Sequence, residues 1–164
     1  DQVHKTRCGS RWAHNLRRSD ATCRKFSKTN CSLYFDVIKQ TRKKFNIRII
    51  NCGVYRDSTK DGLMEIFIFK DLQATDILTG SNFVSDPNSS VEYDISSSAI
   101  NTTNGVKIIS QYYAGSTPIT TIENALSNVI TCNIDGVSDI FVICFTLFTT
   151  STNCYGSITF REYI

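Results

Sequence analysis

Two kinds of apolar periodicity divide the chain near Asn46. Before that point the spacing suits helices: Trp12, Ala13 and Leu16 form an i, i+1, i+4 stripe behind Ser10, which predicts a short helix over residues 11–19. Leu33 with Val37, and Tyr34 with Ile38 and Thr41, recur at helical spacing ahead of a basic tail, which predicts a second helix from about Ser32 to Lys44. Beyond Asn46 the pattern is that of strands. "NIRIINCGVY" and "LMEIFIFK" are β-rich runs separated by "RDSTKDG", whose Asp61-Gly62 reads as a hairpin turn. "SVEYDI" alternates strictly, and "SSAINTT" leads through Asn104-Gly105 into "VKIISQYY", a second hairpin signal. The polar stretch 71–90, with "SDPNSS", reads as a long surface loop. A third helix is expected where Thr120-Thr121-Ile122-Glu123 offers a capping box and Ile122, Ala125, Leu126 and Val129 share a helical face. Asp135-Gly136 marks a turn before "DIFVICFTLFTT", a run apolar on both faces and hence a central strand, and "YGSITFREYI" closes the chain as another.

The sum predicts an α+β fold: a mostly antiparallel sheet with two N-terminal helices and one later helix, stapled by disulfides. At 164 residues one domain over 1–164 is the expectation, with a basic helical segment 1–45 packed on a β-rich body 46–164. No apolar run approaches the length of a membrane span.

Seven cysteines sharpen this. Cys8, Cys23, Cys31, Cys52, Cys132, Cys144 and Cys154 include no CxxC pair, and with only His4 and His14 to help, zinc-ligand spacing is missing, so disulfides are favoured over metal. The odd count leaves one thiol for a disulfide-linked dimer or for burial. Three sequons, at Asn30, Asn88 and Asn101, point to the same extracellular compartment, as a secreted protein or the ectodomain of a larger one.

Charge is the most uneven property. Residues 1–60 hold 15 Lys/Arg against 4 Asp/Glu, a net of +11, whereas residues 61–164 hold 3 against 11, a net of −8. If the two N-terminal helices lie side by side, Arg17, Arg18, Arg24, Lys25, Lys28, Arg42, Lys43, Lys44 and Arg48 form one basic face suited to a sulfated glycan, an acidic extracellular protein or anionic phospholipid headgroups, unless they pair internally with the acidic C-terminal part. Nucleic acid suits the charge but not the compartment or the sparse aromatics.

Catalytic signals are thin. Cys8-Gly9-Ser10 and Trp12-Ala13 resemble the flanks of the nucleophile segment of papain-type cysteine proteases, but Arg11 stands where that family has its cysteine and no histidine follows residue 14. His4 and His14 with neighbouring lysines compose an acid-base set for a small secreted hydrolase, a ribonuclease in the first instance. Asp57, Asp61, Glu65, Glu92 and Asp94 could supply paired carboxylates, though turns and strand surfaces explain them equally. No cofactor motif is present. The reading is therefore a binding module with no assigned catalytic residue. Its low proline and glycine and abundant Asn, Ile, Ser and Thr suit a viral or parasite source, and hence a host-interaction or receptor-binding glycoprotein domain.

Overall fold

A computed structural model describes residues 3–7, 22–31, 33–40, 46–56, 61–85, 89–113, 129–148 and 152–163. Among these the chain is built from antiparallel strands and one short helix: β1 Val3–Arg7, β2 Thr22–Cys31, β3 Leu33–Gln40, β4 Asn46–Arg56, β5 Gly62–Phe69, α1 Ala74–Ile77, β6 Leu78–Thr79, β7 Val84–Ser85, β8 Val91–Asp94, β9 Ala99–Ile100, β10 Val106–Tyr113, β11 Val129–Ile130, β12 Ile140–Leu147 and β13 Thr152–Tyr163. They form a five-stranded sheet in the order β1-β2-β13-β4-β11, a six-stranded sheet in the order β10-β5-β12-β3-β8-β7, and a small β6-β9 pair.

The two large sheets stack on a shared apolar core. Ile47, Ile49 and Val54 of β4 and Ile158 and Phe160 of β13 meet Met64 and Ile66 of β5 and Phe141, Ile143 and Phe145 of β12. All are nearly or wholly removed from solvent, and each fully buried side chain of this size contributes about 1.5–3 kcal/mol. The six-stranded sheet is buried on its other face as well. There Val37, Phe67, Phe69, Ile140, Val142 and Cys144 pack under Ile77 and Leu78, so the segments 70–83 and 95–104 act as a cover.

This layering explains the two terminal strands. β12 pairs with β3 on one side and β5 on the other and is apolar throughout, because its odd-numbered residues enter the inter-sheet core and its even-numbered ones meet the cover. The expectation of a central strand is met. β13 alternates instead: Cys154, Gly156, Ile158 and Phe160 are buried, while Tyr155, Ser157, Thr159 and Arg161 lie half-buried or exposed. The five-stranded sheet thus keeps one wet face.

The cover is fastened by polar contacts. Asn101 N–H donates to Ile77 O at 2.7 Å, and Ser98 N–H to Thr79 O at 2.9 Å. Lys70 and Thr131 converge on Asp139 Oδ2, and Asn133 Nδ2 donates to Asp71, which takes a left-handed backbone with φ 58°. At the far edge Glu162 of β13 accepts from Ser89 Oγ and from Ser90 N and Oγ, tying the five-stranded sheet to the strand opening β8.

Several expectations are corrected. The fold is β rather than α+β. Residues 33–40 form β3, not a helix, because Val37 and Ile38 are buried on opposite faces of one sheet. A strand buried on both sides has no period that separates it from a buried helix, which is why the spacing misled. The helices expected over 11–19 and from Thr120 lie outside the described residues up to β11, which is a strand. No disulfide joins any of Cys52, Cys132, Cys144 and Cys154. Cys52 and Cys154 sit in the inter-sheet core, four register positions apart or roughly 13 Å by strand rise, and Cys144 faces away from them across the sheet.

Neither predicted hairpin forms. β4 and β5 belong to different sheets, and β9 pairs with β6 while β10 pairs with β5. Their glycines answer to crowding rather than to turn geometry. A Cβ on Gly62 would lie 2.7 Å from Phe145 Cζ, and one on Gly105 would lie 2.7 Å from Phe69 Cε1. The Asp135-Gly136 turn does form: Gly136 has φ 89° and donates to Asn133 O at 3.0 Å. The segment 71–90 is less of a surface loop than its polarity suggests, since it carries α1 and buries Ile77 and Leu78.

Candidate binding surface

Strand assignment converts the charge blocks of the sequence into a difference between layers. The five-stranded sheet carries Lys5 and Arg7 in β1, Arg24, Lys25 and Lys28 in β2, Arg48 and Arg56 in β4 and Arg161 in β13, against one acid, Glu162. The six-stranded sheet reverses this, with Asp36, Glu65, Glu92 and Asp94 against Lys39 and Lys107.

The lysines of the acidic layer have partners close by. Lys39 lies 3.3 Å from Glu92 and stacks over Phe83, Lys107 lies 2.6 Å from Glu65 and over Phe67, and Lys70 of the cover lies 3.1 Å from Asp139. On the wet face of the basic layer the arrangement differs. Arg48 and Arg161 stand directly opposite each other in the β4–β13 ladder, both exposed, and neither forms an ion pair with a described residue. Like charges placed opposite destabilise a ladder. From there the wet row of β13 runs through Thr159 and Ser157 to Tyr155, and the register sets Lys25 of β2 opposite Ser157 and His4 of β1 opposite Lys25.

The predicted site residues divide accordingly. Arg24 and Lys25 fall in β2, a strand and not a helix, and the register separates them: Lys25 stands opposite Ser157 on the wet face, Arg24 opposite the buried Ile158. Arg17, Arg18, Arg42, Lys43 and Lys44 lie outside the described residues, as do Cys8, His14, Asn88, Asp57 and the Cys8–Ala13 segment. Cys23 and Cys31 occupy β2 backbone positions opposite Thr159 and Thr152. Asn30 also falls in β2. Asn101 is exposed with Thr102 and Thr103, its Oδ1 accepting from Thr103 N and Oγ1. Arg161 is the residue that the sequence did not single out; its signal is register, which needs the strand pairing with Arg48.

The carboxylates have structural employment. Glu65 and Glu92 hold lysines, and Glu92 also accepts from Ser85. Asp94 is buried beneath the cover; burial alone would raise its pKa, but hydrogen bonds from the Ser96 and Ser97 hydroxyls and from the Asn82 and Ser96 backbone outweigh it and hold the group below its usual value. Burial, joined by the charge of Glu65 and partly opposed by a hydrogen bond with Thr146, pushes the Cys144 thiol up to about 11, which makes it a poor nucleophile. No group of three or more His, Cys, Asp or Glu among the described residues could hold a metal.

The aromatics also separate. Phe145 is core, Tyr113 packs against it, and Tyr112 and Phe148 form an exposed pair with ring centroids 6.1 Å apart. No protein-family model matches the chain, and no curated protein is significantly similar to it.

Proposed function

We propose that the chain is an extracellular binding module that engages an anionic partner, a sulfated glycan or an acidic protein surface on a host cell, through the wet face of its five-stranded sheet. The observation that carries this reading is the segregation of charge by layer. The sheet carries eight cations and one acid, and its register places Lys25, Arg48 and Arg161 on the wet face beside the half-buried hydroxyl row of Ser157 and Thr159, while the opposite sheet is acidic and closed over by its own cover. A potential of one sign spread over an open face attracts a polyanion and orients its approach. The sequons supply the support for the compartment. At Asn101 the side chain lies on an exposed turn where a glycan has room, and this turn adjoins the cover rather than the basic face.

Retention on a heparin matrix at physiological salt tests the reading. The native chain is expected to be retained and to be released by added salt, with Lys25→Glu eluting much earlier and Lys70→Glu, on the other layer, eluting with the native chain. Flow-through of the native chain, or equal effects of the two substitutions, contradicts it.

A further inference from the structure

We propose that Arg48 and Arg161 together form the seat for sulfate groups on this face, an inference that rests on the binding reading above. The two residues are direct partners in the β4–β13 register, and a bulge adjoins them, with the register shifting between Thr159 and Phe160. A bulge breaks the regular pleat and re-aims the side chains beside it. The result is two exposed arginines at opposed positions of one ladder, neither paired with an acid of any described residue.

An evolved ladder has inexpensive ways to avoid that arrangement. One acid at either position would convert repulsion into attraction, as the Lys39–Glu92 pairing across β3 and β8 does on the other sheet. The Arg–Arg opposition is therefore explained by what it binds. Guanidinium presents paired N–H donors in a fixed plane that matches the oxygens of a sulfate, and two of them share the charge of one or two such groups.

The chemistry along the row favours a sulfated polysaccharide over a nucleic acid. Thr159 and Ser157 offer hydroxyl donors and acceptors suited to sugar hydroxyls, with Tyr155 as the ring at the far end, six residues or roughly 20 Å from Arg161. Binding of single-stranded nucleic acid depends on several aromatic platforms for successive bases, and the described side chains of this row supply one.

The test is titration with heparin, with fully desulfated heparin and with an oligodeoxythymidylate, each over a range of salt. Native protein is compared with Arg48→Gln/Arg161→Gln, Arg161→Lys and Lys25→Gln, with each variant's thermal melting recorded. The double variant is expected to bind heparin at least tenfold more weakly, with the slope of log K against log salt reduced by about 2. It should melt no lower than native protein, because it relieves repulsion. Arg161→Lys keeps the charge and the fold but loses the planar fork, and a threefold or larger loss of affinity is expected. Equal binding of desulfated heparin, tighter binding of the oligodeoxythymidylate, or native affinity in both arginine variants overturns the proposal. If that native affinity accompanies a loss in Lys25→Gln, the basic face stands and only the sulfate seat falls. If native protein binds no heparin, both fall.

Discussion

Asp94 is buried yet accepts from Asn82 N at 3.0 Å, Ser96 N at 2.9 Å, Ser97 N at 3.3 Å and both serine hydroxyls. These donors come from the two ends of the β6–β9 excursion, so the carboxylate draws the cover closed over the six-stranded sheet. Replacing it with Ala removes five acceptor interactions of unequal worth. Asn82 and Ser96 are exposed, and their donors turn to water at little cost. Ser97 is fully buried, and its N–H and hydroxyl lose their partner at about 1–3 kcal/mol each. The expected loss is about 2–6 kcal/mol, a shift of roughly 1–3 M in the urea midpoint for a domain of this size. The pH dependence has a definite sign. The folded pKa of Asp94 lies below its unfolded value, so its contribution is complete at neutral pH and disappears as pH falls through the folded pKa. Urea melts of native protein and Asp94→Ala at neutral pH and at about pH 2 should show a gap that narrows in acid. A gap below about 0.5 kcal/mol at neutral pH, or one that does not narrow, would refute the account of how the cover is held.

The remaining expectations concern packing and thiols. Gly105→Ala places a methyl against Phe69, itself 1% exposed and unable to retreat, and should cost about 1–3 kcal/mol in the same urea assay; a neutral result would mean the cover is not packed as described. Cys144, with its thiol raised from 9.0 to about 11, holds about a hundredfold less thiolate than an ordinary cysteine at a given pH, so mass spectrometry of native protein treated with iodoacetamide should show Cys132 alkylated well before it. Early modification of Cys144 would place it outside the cover.

The strands were readable wherever one rule decided the pattern. β13 announces itself because one face is core and the other water, and β12 because eight successive residues are apolar or small enough to be buried from both sides. β3 was not readable, since neighbouring Val37 and Ile38 are buried on opposite faces and leave no strand alternation, and the polar or charged residues around the run imitate helix boundaries. The Asp61-Gly62 and Asn104-Gly105 dipeptides carried a true signal for glycine and a false one for its cause. The constraint at both is an aromatic ring against the backbone, and that ring comes from a strand far away in sequence. Charge followed the same logic. The sequence shows that the cations precede the acids, but only the register reveals that they become separate layers, that Lys25 stands opposite Ser157, and that Arg48 meets Arg161. The disulfide expectation followed composition into a fold in which Cys52, Cys132, Cys144 and Cys154 are free thiols.

The central claim is that one layer of this sandwich, and not the other, meets a polyanion. Lysine acetylation footprinting read by mass spectrometry, with and without saturating heparin, tests it most directly because both layers carry lysines. Lys25, at a wet-face register position of the five-stranded sheet, should lose reactivity on binding, while Lys70 and Lys107, with side chains 61% and 50% exposed, should keep theirs. Protection of Lys70 and Lys107, or equal protection of all three, would contradict it.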